Sequence, residues 1–254
     1  MNDFLSLPGI AENPAYLLFA VVMVTAAYAI FTLVGFGSAL IASSPLALIM
    51  PVSRVIPILA LLDFSGSSLR GYSARRAVAW GAFRQLFPGM LLGQLLGVAV
   101  LARLPAAIMA VALGVFIVIQ GLRGFMSKAD APRKARYPAL AYGIFGGVLG
   151  GLFGSGGFVY AAYLERNLEK REAFRATQAV LIALSTGWRI VLCIAIGLMD
   201  FKLLMSAMAF VPAMALGVYL GHRVDLRMSR EQLFRLLNTL LIASGLSLIV
   251  RFIT

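Results

Sequence analysis

The chain has 254 residues, of which 61% are hydrophobic and 13% charged, and its mean hydropathy is +0.93. Ordinary soluble domains carry about 25% charged residues, so this composition excludes one and points to a polytopic membrane protein. The net charge of +12 then belongs to loops at a membrane surface rather than to a nucleic-acid contact; one cysteine (Cys193) excludes a disulfide framework, and one histidine (His222) leaves no Cys/His cluster for a metal.

Residues 1–14 are acidic (Asp3, Glu12) and lack the basic start of a signal peptide, so the first apolar stretch is expected to remain in the mature protein. Apolar segments follow at about 15–34, 36–50, 52–69, 82–101, 105–122, 139–153, 155–164, 173–198, 203–221 and 231–250. A helix needs about 20 residues to cross a bilayer, and most of these are long enough. Two are not. Segments 36–50 and 155–164 are short, and each follows a glycine break: Gly35-Phe36-Gly37-Ser38 in one case, Gly154-Ser155-Gly156-Gly157 in the other. The second break closes a stretch, 145–158, that is apolar yet holds seven glycines. Glycine costs a helix roughly 1 kcal/mol against alanine, so a helix here either packs very closely or stops. Non-helical backbone inside a membrane is tolerated only where protein buries it or a wet cavity solvates it, which makes each break a candidate binding site.

The matching places of the two breaks belong to an internal repeat. Pro88, Gly93 and Gly97 read against Pro212, Gly217 and Gly221 at a constant offset of 124, Gly121 falls on Gly245, and Ser65-Gly66 lies over Thr186-Gly187 at a slightly smaller offset. The expected fold is therefore all-α and polytopic, with about 8–10 membrane segments in two repeats, 1–123 and 138–254, joined by a basic cytoplasmic linker at 124–137. If each short segment forms a hairpin that leaves by the face it entered, three spans remain per half and the halves are inverted. Of 22 Lys and Arg, 17 then fall on one face and four (Arg54, Arg103, Lys202, Arg251) on the other, with Arg189 in the membrane. The positive-inside rule favours that arrangement, with both termini periplasmic.

Arg189 stands midway along 173–198, where a charge costs at least about 2.5–3.5 kcal/mol on insertion scales. It is the cation that meets an anionic substrate, its planar fork suiting a sulfonate or carboxylate, or half of a structural pair with Asp63, the acidic residue inside the 52–69 segment, or a side chain that snorkels from a tilted helix. Asp63 is accordingly a counter-ion or a proton carrier; pairing and burial push in opposite directions, and the sequence leaves both open. Ser65, Ser185 and Thr186 could offer hydroxyls, Gln178 and Trp188 are candidate lining residues, and Ser43, Ser44, Ser67 and Ser68 carry weaker signals against the default of helix-packing serines. The amides of Gly37, Ser38, Gly156 and Gly157 would point from half-helix starts into the site, where free N–H groups and the positive dipole end attract anions. The competing reading of those glycines is a tight helix crossing. Gln94, Gln120 and Asn238 read as interhelical hydrogen bonders, His222, Trp80 and Tyr137 as surface or headgroup residues.

The glycine-rich hairpins, the paired halves and the Pro-x-x-x-x-Gly-x-x-x-Gly helices resemble the TauE/SafE-type sulfite exporter family of membrane permeases, from about Thr25 to Ser247. The family often shows Gly-x-Gly-Gly-Gly at the first break, where this chain has Gly35-Phe36-Gly37-Ser38-Ala39. The resemblance implies transport of small sulfur-containing or organic anions such as sulfite, sulfonates and sulfoacetate, without ATP, in a bacterial inner membrane. On the residues themselves, a secondary transporter fits the repeat, the broken helices and a buried cation. A passive anion channel is the alternative; an enzyme would need a nucleophile with a base, a metal cluster or a nucleotide loop, and none is visible. The expected partners are a small anionic substrate and the lipid bilayer, with proton coupling and a homo-oligomer left open, no nucleic acid and no cofactor.

Overall fold

The computed structural model describes residues 14–34, 38–126, 137–223 and 230–253. Those residues form eleven α-helices: α1 (Pro14–Val34), α2 (Ser38–Ala47), α3 (Val52–Ser73), α4 (Trp80–Arg103), α5 (Ala106–Met126), α6 (Ala139–Phe153), α7 (Gly157–Asn167), α8 (Arg171–Ala195), α9 (Phe201–Ala209), α10 (Val211–Arg223) and α11 (Arg230–Ile253). Six apolar stretches among them are long enough to cross a membrane, α9 and α10 counting together as one. The chain is thus an all-α polytopic membrane protein. Gly37 and most of the linker expected at 124–137 lie outside the described residues.

The short segments are separate short helices, α2 and α7. Helix α6 ends because Gly154 adopts φ +73°, the left-handed conformation that closes a helix at low cost only for glycine. Its N–H bonds to the Gly150 carbonyl at 3.0 Å while Ser155 N–H reaches the Leu149 carbonyl at 3.3 Å, which turns the chain sharply into α7. One expected segment is divided: 203–221 breaks between α9 and α10 at Phe210, since Pro212 has no N–H to give the Met208 carbonyl. Asp200 caps the start of α9, its carboxylate accepting the Leu203 N–H at 2.7 Å.

The helices of the two halves pair with one another. Along α4, Gly89, Gly93 and Gly97 meet Gly143, Gly147 and Gly151 of α6; a methyl group on Gly147 would sit 2.5 Å from the Met90 carbonyl oxygen, and one on Gly151 2.8 Å from the Val98 nitrogen. Numbers rise together along these two helices, so they run parallel. Gly217 and Gly221 of α10 press in the same way on the backbone at Thr25 and Ala29 of α1, again in parallel. Conversely, α3 and α8 run antiparallel, with Gly71 against Val180 and Gly187 against Phe64, and so do α5 and α11, with Gly114 against Ile249 and Gly121 against Ile242. Without a hydrophobic drive between helices in lipid, small residues that let backbones approach supply the packing. The glycines of the Pro-x-x-x-x-Gly-x-x-x-Gly motifs are therefore the docking faces of α4 on α6 and of α10 on α1.

Two buried clusters flank the middle of the molecule. One gathers Tyr28, Phe31, Leu59 and Phe210 from α1, α3 and the α9–α10 corner; the other gathers Ile56, Leu113, Phe153 and Val159 from α3, α5, α6 and α7. The polar residues of α3 and α8 meet between them.

Candidate functional site

Arg189 sits on the inner face of α8 and is 1% exposed. Its guanidinium lies beside the α6–α7 turn, where two missing side chains make room: a methyl group on Gly154 would be 3.2 Å from Nη1 and one on Gly150 3.7 Å from Nη2. Nε and Nη1 are buried and have no hydrogen-bond partner among the described residues. A guanidinium carries five N–H donors and no acceptor, so this one keeps donors in reserve at the protein's centre.

Those donors border a cavity of about 20 Å³, room for about one or two water molecules. Helix α2 brings its first residues to the wall, Ser38 and Ala39; the α6–α7 turn brings Gly154, Ser155, Gly157 and Phe158; α8 brings Ser185, Thr186 and Arg189; α3 brings Asp63, and α1 brings Phe31. Both short helices thus begin at the same cavity. At α7, the Val159 and Tyr160 N–H groups go back to the Gly156 carbonyl, at 3.0 and 3.3 Å, so the amides ahead of them are those a helix start leaves over. The positive ends of two helix dipoles and one guanidinium converge on a space of a few atoms, which is an anion-binding arrangement.

Asp63, 4% exposed, supplies the opposite charge. Its Oδ1 accepts the Tyr28 hydroxyl and the Ser38 hydroxyl, each at 2.6 Å. That length is typical of an O–H donor on an ionised carboxylate, which binds α1, α2 and α3 together beside the cavity. Asp63 also interacts electrostatically with Arg189 across it.

Of the residues the sequence singles out, the structure brings Arg189, Asp63, Ser38, Gly157, Ser185 and Thr186 to one cavity. Gly156 caps α7 immediately behind it, packed on Gly146 and Tyr160. Gln178 Nε2 donates to the Gly157 carbonyl at 2.6 Å and so holds the start of α7 rather than lining the space. The Thr186 hydroxyl is engaged with its own helix, at the Ile182 and Ala183 carbonyls. Ser65 points elsewhere: it is exposed and donates to the Leu61 carbonyl at 3.0 Å. Trp188 also turns away, its Nε1 donating to the Leu91 carbonyl of α4 at 3.3 Å. Gln94 follows its interhelical reading, its Nε2 donating to the Ser185 hydroxyl. His222 is exposed, as are Trp80 and Tyr137. Tyr28, Phe31 and Ser155 were not expected; a tyrosine in an apolar span is a weak signal, and only its hydrogen bond to Asp63 of α3 reveals its partner.

Fold and site together define a multi-pass membrane protein of transporter type, with discontinuous helices meeting at a buried charge. The comparisons agree. Residues 18–248 match the family described as Sulfite exporter TauE/SafE, and the chain belongs to that family. It is 30% identical over 195 residues to the probable inner membrane transporter protein TsaS of Comamonas testosteroni, covering 74% of this chain and 80% of that one. It is 26% identical over 226 residues to the probable sulfite/organosulfonate exporter TauE of Cupriavidus necator, covering 86% and 88% respectively. No solved structure matches the chain.

Proposed function

We propose that this chain is a secondary transporter that moves a small sulfur-containing or organic anion, of the sulfite, sulfonate or sulfoacetate kind, across the bacterial inner membrane. One observation carries the reading: a fully buried arginine with two unpartnered nitrogens faces a cavity where two half-helices begin. Burying such a charge without use is costly, and an oxyanion is the ligand that would satisfy both the guanidinium and the free amides. The names of the relatives, an inner membrane transporter and a sulfite/organosulfonate exporter, support the same substrate class and membrane.

The two halves are taken to be inverted repeats, about 1–123 and 138–254. Corresponding helices α3 and α8 pack antiparallel, as do α5 and α11, which an axis in the membrane plane requires and an axis along the normal would forbid. The 17 basic residues on one face make it cytoplasmic, with both termini periplasmic. On that face Arg75 lies over the Tyr72 ring at 4.1 Å and Arg223 over the Tyr219 ring at 4.8 Å, as cations and aromatics do at headgroup level. Transport then proceeds by rocking of one half against the other about the central site.

A passive channel would need a continuous wet path, and a cavity this small flanked by Phe31 and Phe158 favours alternating access instead. The test is flux in proteoliposomes: sulfite or methanesulfonate should accumulate against its gradient when a driving force is imposed. Ohmic current at channel rates, without saturation, would reject the transporter.

A further inference from the structure

Resting on that reading, we infer that within this substrate class the site selects singly charged oxyanions, hydrogensulfite and organic monosulfonates, over dianions such as sulfite, sulfoacetate and sulfate, and that Asp63 sets this limit. Charge in a small space decides between them. Arg189 brings one positive charge and Asp63 one negative charge to the same cavity wall. The starts of α2 and α7 each contribute about half a positive charge, and the ends of α1 at Phe31 and of α6 at Gly154 about half a negative one each. The lining is therefore close to neutral, so a monoanion leaves about one uncompensated charge and a dianion about two.

Geometry makes the carboxylate a fixed part of that balance. Asp63 Oδ1 takes two hydroxyl donors from two other helices at 2.6 Å, so it cannot swing away from an incoming ion without abandoning both. Arg189 meanwhile keeps Nε and Nη1 unpartnered, donors on different edges of its guanidinium, so it has an N–H to offer an oxygen of a single sulfonate head. The cavity's size works in the same direction: with room for about one or two water molecules, it has no space for an ion's hydration shell, and stripping that shell is far harder for a dianion. Tyr28 from α1 and Tyr160 from α7 are the other acidic groups nearby, and Cys193 lies a turn along α8. Nothing else titratable lines the cavity among the described residues.

Hydrogensulfite loses its proton close to neutrality, whereas methanesulfonate stays singly charged and sulfate doubly charged throughout. Binding to the purified wild-type protein, measured by thermal shift and calorimetry from about pH 6 to about pH 8.5, therefore separates charge from chemistry. The expected result is a methanesulfonate affinity that changes little, a sulfite affinity that falls about tenfold per pH unit above neutrality as the competent species is depleted, and sulfate at least about tenfold weaker than methanesulfonate. Asp63→Asn, which keeps an oxygen for Tyr28 and Ser38, should narrow the gap between sulfate and methanesulfonate. Sulfite affinity that holds or rises with pH, or sulfate binding as tightly as methanesulfonate, overturns the monoanion assignment while leaving an anion site at Arg189. An unchanged sulfate gap in a folded Asp63→Asn protein removes Asp63 from the selection. If no oxyanion binds at any pH, and wild type and Arg189→Gln behave alike, the transporter reading fails with it.

Discussion

Ser38 Oγ donates to Asp63 Oδ1 at 2.6 Å, tying the first residue of half-helix α2 to the middle of α3. A helix start that must hold its amides toward a substrate needs an anchor, and a charge-assisted hydrogen bond supplies one. Ser38→Ala should cost about 1.5–3 kcal/mol, the worth of a hydrogen bond to a charged group, reduced where Tyr28 takes up the load. Thermal unfolding of the detergent-purified protein measures it. An unaltered midpoint together with unaltered anion affinity would show that α2 is held by other contacts.

Arg189→Ala should abolish transport of the anionic substrate, while Arg189→Lys retains a fraction, because lysine keeps the charge but loses the planar fork. Expression and folding have to be matched first, since removal leaves Asp63 without its counter-charge in a buried site, a change that costs about 3–5 kcal/mol in buried pairs. A well-folded alanine variant with wild-type flux would take Arg189 out of the site.

The glycines differ in what a methyl group would do to them. Gly147 belongs to the α4–α6 crossing, where an added methyl group meets the Met90 carbonyl oxygen at 2.5 Å, so Gly147→Ala should destabilise by about 1–3 kcal/mol without a specific effect on substrate affinity. Gly66 has open space around it and ordinary φ, so Gly66→Ala should stabilise α3 by about 0.5–1 kcal/mol. Gly154→Ala should do both kinds of harm: it strains a φ of +73° and crowds Ala39 and Arg189, so stability and anion binding fall together. Melting curves with and without methanesulfonate separate the three outcomes.

What the sequence made legible follows from how rare each signal is. A lone arginine in an apolar run and a lone aspartate in another are expensive in lipid, so Arg189 and Asp63 stood out before any contact was known. The second glycine break announced α7 because Gly154 takes a φ of +73° that ends α6, whereas Gly146, Gly147, Gly150 and Gly151 stay inside that helix. Direction around a helix was not legible: Ser65 lies two residues from Asp63 and Trp188 one from Arg189, yet a turn of about 100° per residue carries both away from the cavity. Partners across helices were hidden too. The Gly93-x-x-x-Gly97 and Gly217-x-x-x-Gly221 motifs could be seen to repeat, but that each docks on the first helix of the opposite half depends on close backbone approach, which no periodicity records.

An anion leaving the cell is driven outward by the inside-negative potential, at about 2.3 kcal/mol per charge per 100 mV, so export needs no coupled ion. Asp63 faces the anion site but is engaged by Tyr28 and Ser38, a setting that favours a fixed counter-ion over a group that gains and loses a proton each cycle. Sulfite is a poor probe of this, because its own protonation would imitate coupling. Methanesulfonate avoids the confusion. In proteoliposomes clamped at a fixed membrane potential, its flux should follow that potential and ignore an imposed pH gradient, and Asp63→Asn should alter affinity without creating or removing any pH-gradient response. Uphill methanesulfonate movement driven by a pH gradient alone, and lost in Asp63→Asn, would instead make Asp63 the proton carrier.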